Sequence, residues 1–229
     1  MVRLIGLAVL VAAFVLGAAW QAKAQKVDPP YPRMAPLDQY LMADRDAEIA
    51  LAKSAAPKAI SDDAEVMMLD RQGYKTAVKG TNGFVCTVQR SWTAGVDAPE
   101  FWNPKIRAPI CFNPPAVRTY LAIEIVKTNL ALAGAQTADA MQDALKKKQL
   151  PAMETGAMCY MMSKNGYLSD AGGRWHPHLM FFLPLTDGKA WGADLPGSPI
   201  LAGQDVADHV TIFLVPVRKW SDGTPDLPQ

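Results

Sequence analysis

The sequence predicts an α+β domain, an antiparallel sheet of five or six strands with helices packed on one face. Three observations carry this. Short apolar or alternating runs gather in two groups, within residues 65–92 and 157–217. Helical periodicity occupies 37–55, 113–133 and 137–148, before and between those groups. Turn signals such as Asn82-Gly83 and Asn165-Gly166 punctuate the strands. This order of elements is like that of PAS, Cache and profilin-like modules, a likeness that carries no function.

In chain order, residues 1–24 read as a signal peptide. Arg3 supplies the positive start, Leu4 to Ala19 are apolar or glycine, and Ala22-Lys23-Ala24 is a small-x-small cleavage pattern. The apolar run falls short of the roughly 20 residues of a membrane span. The membrane is therefore met only through this segment before cleavage near Ala24, and the mature chain is expected to be periplasmic or secreted. Residues 25–36 carry Pro29, Pro30, Pro32 and Pro36 and read as an extended tether. A single domain is expected over 37–223, with a polar tail at 224–229.

Within the domain, Leu37 to Ala55 is helical in one or two pieces, with Asp44 placed to cap the second and Pro57 to end it. Strands follow at Glu65–Leu69, Tyr74–Val78 and Phe84–Trp92, most economically as a meander. In the third, Phe84, Cys86 and Val88 alternate with Thr87, Gln89 and Ser91, the pattern of a half-buried strand. Residues 93–115 read as a long irregular connection whose Phe101, Trp102 and Phe112 pack it down like a lid. Asn113 before Pro114 starts a helix that Gly134 stops, and Thr137 starts another that runs to Lys148. Strands return at Ala157–Met162, around His178 to Leu183, and at His209–Val217. A second long loop, 184–208, lies between the last two.

The charge is near balance, 23 basic against 22 acidic residues, and Lys146-Lys147-Lys148 is the basic run, at a helix C-terminus. That lacks the basic footprint of a nucleic-acid binder. Of the three cysteines, Cys86 and Cys111 are the favoured disulfide, because short apolar stretches around each suit neighbouring strands. Three buried thiols are the alternative.

Polar chemistry concentrates at Trp175-His176-Pro177-His178. On a continuous strand both imidazoles leave one face, their Cα atoms roughly 6–7 Å apart. With His209 they form a candidate zinc or copper site. Pro177 works against a strand through the pair. Met158, Cys159, Met161, Met162 and Met180 add sulfur ligands suited to copper, yet alternation sends Cys159 and Met161 away from Met158 and Met162. Cys159 with His176 or His178 is a candidate nucleophile and base.

Several stretches carry a resemblance: Asn82-Gly83-Phe84-Val85-Cys86, Phe101-Trp102-Asn103-Pro104-Lys105-Ile106-Arg107, Tyr160-Met161-Met162-Ser163-Lys164, Trp175-His176-Pro177-His178-Leu179-Met180 and Trp191-Gly192-Ala193-Asp194-Leu195-Pro196-Gly197-Ser198. Together they resemble a group of exported bacterial proteins with no assigned activity, over about residues 45–223. The resemblance implies export and supplies no catalytic residues.

The expected function is a non-enzymatic exported module binding a small molecule or metal ion, with Trp175, His176, His178, Trp102 and Trp191 lining its site. The competing expectation is a metal- or thiol-dependent hydrolase using His176, His178, His209 or Cys159.

Overall fold

Asp44 caps the first α-helix among the described residues, its Oδ1 accepting from Asp46 N and Ala47 N at the start of α1 (Arg45–Lys53). The structure is a computed structural model that describes residues 29–226, so the signal peptide expected at residues 1–24 lies outside the described residues. After α1 come α2 (Lys58–Ser61), β1 (Glu65–Asp70), β2 (Gly73–Val78), β3 (Val85–Gln89) and β4 (Ala108–Phe112). Three helices follow, α3 (Pro114–Arg118), α4 (Tyr120–Leu132) and α5 (Ala138–Leu145). The chain then returns to strands at β5 (Met158–Met161), β6 (His178–Pro184), β7 (Leu201–Asp205) and β8 (Val210–Pro216). The class is α+β as predicted, but the sheet has eight strands in the order β2-β1-β3-β4-β5-β6-β8-β7.

The two extra strands lie inside the stretches expected to be loops. β4 sits centrally despite Pro109, because β5 pairs only with Cys111 and Phe112 and leaves the proline beside no β5 ladder. β7 is an edge strand whose Leu-Ala-Gly-Gln-Asp run carries no alternating signal. The expected meander is also corrected. β3 crosses to the far side of β1 and runs parallel to it, while every other pairing is antiparallel. This crossing brings Gly80 against the start of β1, where a Cβ would stand 2.1 Å from Glu65 N, so only glycine fits.

Helices cover both faces of the sheet rather than one. Cys86, Val88 and Cys111 pack under α1 with Val66, whereas Val85, Ile110, Phe112 and Cys159 pack under α3 and α4 with Tyr120 and Leu121. All five residues of β3 are therefore buried, where a half-buried strand was expected. The helix predicted from Asn113 divides at Thr119, whose hydroxyl bonds back to Pro115 O at 2.7 Å. Its cap at Asn113 and its stop at Gly134 (φ +106°) stand as predicted, as does the Thr137 cap of α5.

Residues 29–36 are docked instead of trailing free. Tyr31, Met34 and Ala35 pack beside the cluster of Tyr40, Trp92, Phe101 and Trp102, and Met34 N donates to Gln136 O. Cys86 and Cys111 face each other across β3 and β4 and are disulfide-bonded, which agrees with an oxidising, exported location. The bridge closes 25 residues of chain. The Cys86→Ala, Cys111→Ala double variant is expected to lose roughly 3 kcal/mol, read as a lowered urea midpoint with a steeper slope, because the unfolded chain expands once its crosslink is gone. No helix among the described residues is long and apolar enough to cross a membrane.

Candidate functional site

Strand register decides which side chains meet. On the α4 side of the sheet, Gln89, Ala108, Met180, Ile212, Leu214, Gly203 and Asp205 share one face. Helix α4 covers the β1 to β4 half of that face and meets β6 through Tyr120, stacked on Phe182, which leaves a gap over Met180, Ile212 and Leu214. Residues 93–100 arch over the gap. Beneath them is a cavity of about 540 Å³ with a mainly apolar floor of Ile106, Ala108, Leu168, Met180, Ile212 and Leu214. Gln89, Ser91, Asp97, Glu100 and Asp205 supply its polar wall.

A buried ionic cluster props up this roof. Lys127, from α4, has no exposed side-chain surface. Its ammonium donates to Ala94 O at 2.7 Å and to Asp208 Oδ2 at 2.8 Å, and stands 3.7 Å from Asp205 Oδ2. One cation thus ties α4 to both the arch and the β7–β8 turn, where Asp208 N donates to Asp205 Oδ1 at 3.1 Å. Burial pushes the Asp208 carboxyl up to about 6 even though Lys127 pulls it down. One helical turn before Lys127 lies Glu124, buried, with Gln89 Nε2 donating to its Oε1. Burial raises its pKa to about 8, only partly opposed by Gln89 and Lys127.

A carboxyl raised from 4.5 to about 8 holds a proton in the folded chain that the unfolded chain releases. Its stability contribution is therefore complete below 4.5 and is lost as pH climbs toward 8, by up to roughly 1 kcal/mol per pH unit. Glu124→Gln is expected to melt close to the parent at pH 5 and clearly above it at pH 8. Parallel melting curves at the two pH values check this, and a constant offset would count against a neutral Glu124.

The histidines are elsewhere, and they are not together. β6 begins only at His178, after Pro177, so no strand carries both imidazoles to one face. His176 is half-exposed and donates from Nδ1 to Asp226 Oδ2 at 2.6 Å. His178 is buried and donates from Nδ1 to His176 O at 2.7 Å, and burial lowers its pKa. His209 is exposed at φ +58°, at the opposite end of the β6–β8 ladder, roughly 20 Å away by strand rise. The zinc or copper site expected from the three is not assembled, and among the described residues no three His, Cys, Asp or Glu side chains are placed to hold a metal ion.

Trp175 does meet His178, with ring centroids 4.8 Å apart. The crevice that they share with His176 and Leu168 is only about 10 Å³, room for one water at most. Trp102 is sealed in the core beside Trp92 and Phe101, unable to line any site. Trp191 is largely exposed and packs on Phe213, on the face of the sheet away from the cavity. Cys159 is a free thiol with no exposed surface, and burial pushes its pKa well up. Its strand neighbour is Met180, with His178 two residues further on, so the expected thiol and base are not joined.

The functional candidates missing from the sequence reading are Gln89, Ser91, Lys127, Asp205 and Glu124. One signal pointed their way, the polar run Thr87, Gln89 and Ser91 on an otherwise apolar strand. Comparison of the chain with protein-family models, with curated proteins and with solved structures finds no match.

Proposed function

We propose that the protein is an exported, non-enzymatic binding module that takes a small, largely apolar molecule into the cavity under residues 93–100. The observation that carries this is the cavity itself. Its volume, about 540 Å³, suits a drug-sized ligand, and an apolar floor with few convergent polar groups is the usual make-up of such sites. Export rests on residues 1–24, agrees with the Cys86–Cys111 bridge, and fits the resemblance to exported bacterial proteins.

Gly203 provides the test. It lies on the cavity face of β7, opposite Ile212, and a Cβ there meets nothing within 4 Å. A larger side chain grows into the mouth of the cavity without disturbing the sheet. Gly203→Leu is expected to weaken binding of the neutral fluorescent dye N-phenyl-1-naphthylamine at least about tenfold, with the melting midpoint unchanged. Equal dye affinity in parent and variant would remove the cavity from consideration as the binding site.

A further inference from the structure

Every charged side chain turned toward the cavity is a carboxylate, and Tyr120 adds a neutral phenol. Asp97, Glu100 and Asp205 line it. Arg90 lines it too, but period-two alternation along β3 sends its guanidinium through to the other face. There it is spent on Glu48 Oε1 at 2.8 Å and on the carbonyls of Tyr40 and Val88. Lys127 is held by Asp208 and by two carbonyls of the arch, Thr93 and Ala94.

The three carboxylates differ in what remains to be satisfied. Glu100 is saturated by Ser169 Oγ, Asp170 N and Asn103 Nδ2. Asp205 is 8% exposed and its Oδ2 has no hydrogen-bond partner among the described residues, only the 3.7 Å approach of Lys127. Ser91, 3% exposed, likewise has an unpartnered Oγ. Gly95 marks the corner where these features converge. A Cβ there would stand 2.8 Å from Asp97 Oδ1 and 3.4 Å from Asp205 Oδ2, so two carboxylates border one small gap in the arch. Buried acceptors lacking donors cost free energy, and a donor brought by a ligand recovers it.

We propose that the ligand of this cavity is an amphiphilic amine, its apolar body on the Met180–Ile212–Leu214 floor and its ammonium head at the corner formed by Gly95, Asp97 and Asp205. This rests on the binding-module reading above and adds the chemical class. An anionic head would meet three carboxylates and no available cation. A neutral head would forgo the charge-assisted bonds that an ammonium makes with carboxylate.

Displacement of N-phenyl-1-naphthylamine by octylamine, octan-1-ol and octanoate at pH 7.5 tests the class with one apolar body and three heads. Octylamine is expected to compete at least about tenfold better than octan-1-ol, with octanoate weakest. Asp205→Asn keeps the acceptor for Asp208 N, and should bring the amine to parity with the alcohol while leaving the alcohol unchanged. Asp97→Asn, at an exposed position that does not bear on folding, should lower the amine preference severalfold. Octanoate binding as well as octylamine would overturn the ammonium assignment, as would an amine preference that survives both substitutions. If Gly203→Leu still blocked the dye in that case, the cavity would stand as the binding site with another head group. A dye indifferent to Gly203→Leu removes the cavity and the amine together.

Discussion

Arg90→Met alone is expected to cost roughly 3–5 kcal/mol. Arg90 and Glu48 have no exposed side-chain surface and meet at 2.8 Å between β3 and α1. Removing the guanidinium strands a carboxylate in the α1 layer and takes a donor from Tyr40 O, accepted now at 2.6 Å. Val88 O suffers less, since Tyr74 Oη also donates to it at 3.0 Å. Glu48→Leu alone should be costly for the mirror-image reason, an unpaired buried cation. The Arg90→Met, Glu48→Leu double variant should be closer to the parent than the two single costs imply, because apolar groups of similar volume replace a desolvated pair with little loss. Urea midpoints of the four proteins give the coupling directly, expected at about 2 kcal/mol or more. Strictly additive costs would mean that the two charges do not act as a pair.

That pair also shows where reading the chain by pattern reaches its limit. Asp44, Asn113, Gly134 and Thr137 were legible because capping is local, a side chain serving backbone groups two or three residues away. The Cys86–Cys111 partnership was favoured by the short apolar stretches around each, although Cys159 in its own apolar strand left two other pairings open. Arg90 and Glu48 lie 42 residues apart on elements whose packing no local signal specifies. The same holds for Lys127, Asp205 and Asp208, which a helix and a hairpin bring together from 81 residues away.

The misplaced site has an equally definite cause. Two histidines beside an apolar run look like a shared face only if the strand reaches both, and Pro177 ends the ladder between them. His209 begins a neighbouring strand, but β8 runs antiparallel to β6, so its start lies beside the end of β6, at Pro184, far from His178. The two strands are neighbours in the sheet, although β7 lies between them in sequence, and direction decided the distance. The cavity, in contrast, is made by what fails to cover the sheet. Helix α4 reaches β6, β8 and β7 only at Tyr120, stacked on Phe182, and at Lys127, bonded to Asp208, and the ground left uncovered between these contacts carries no local pattern.

Lys127→Met carries the second large effect, again roughly 3–5 kcal/mol, since one substitution leaves Asp205 and Asp208 facing each other in the interior. Its dependence on pH separates this from simple loss of packing. Asp208 already holds its proton up to about 6, and without the ammonium it should hold that proton to higher pH still. The folded variant then binds protons that the unfolded chain has released, so its deficit should shrink on acidification from pH 7.5 to pH 5. Adding Asp208→Asn removes one of the stranded charges and should restore part of the loss at pH 7.5. A deficit that is flat across this range would assign the cost to the lost side-chain volume. The same ammonium holds Thr93 O and Ala94 O, so amide exchange across 94–100 should quicken in Lys127→Met while the α1 layer keeps its protection. An arch loosened in this way no longer holds Gly95 and Asp97 beside Asp205, and dye affinity should fall even where the variant is fully folded. Stability and binding therefore meet at Lys127, whose charge is spent holding the roof over the cavity in place.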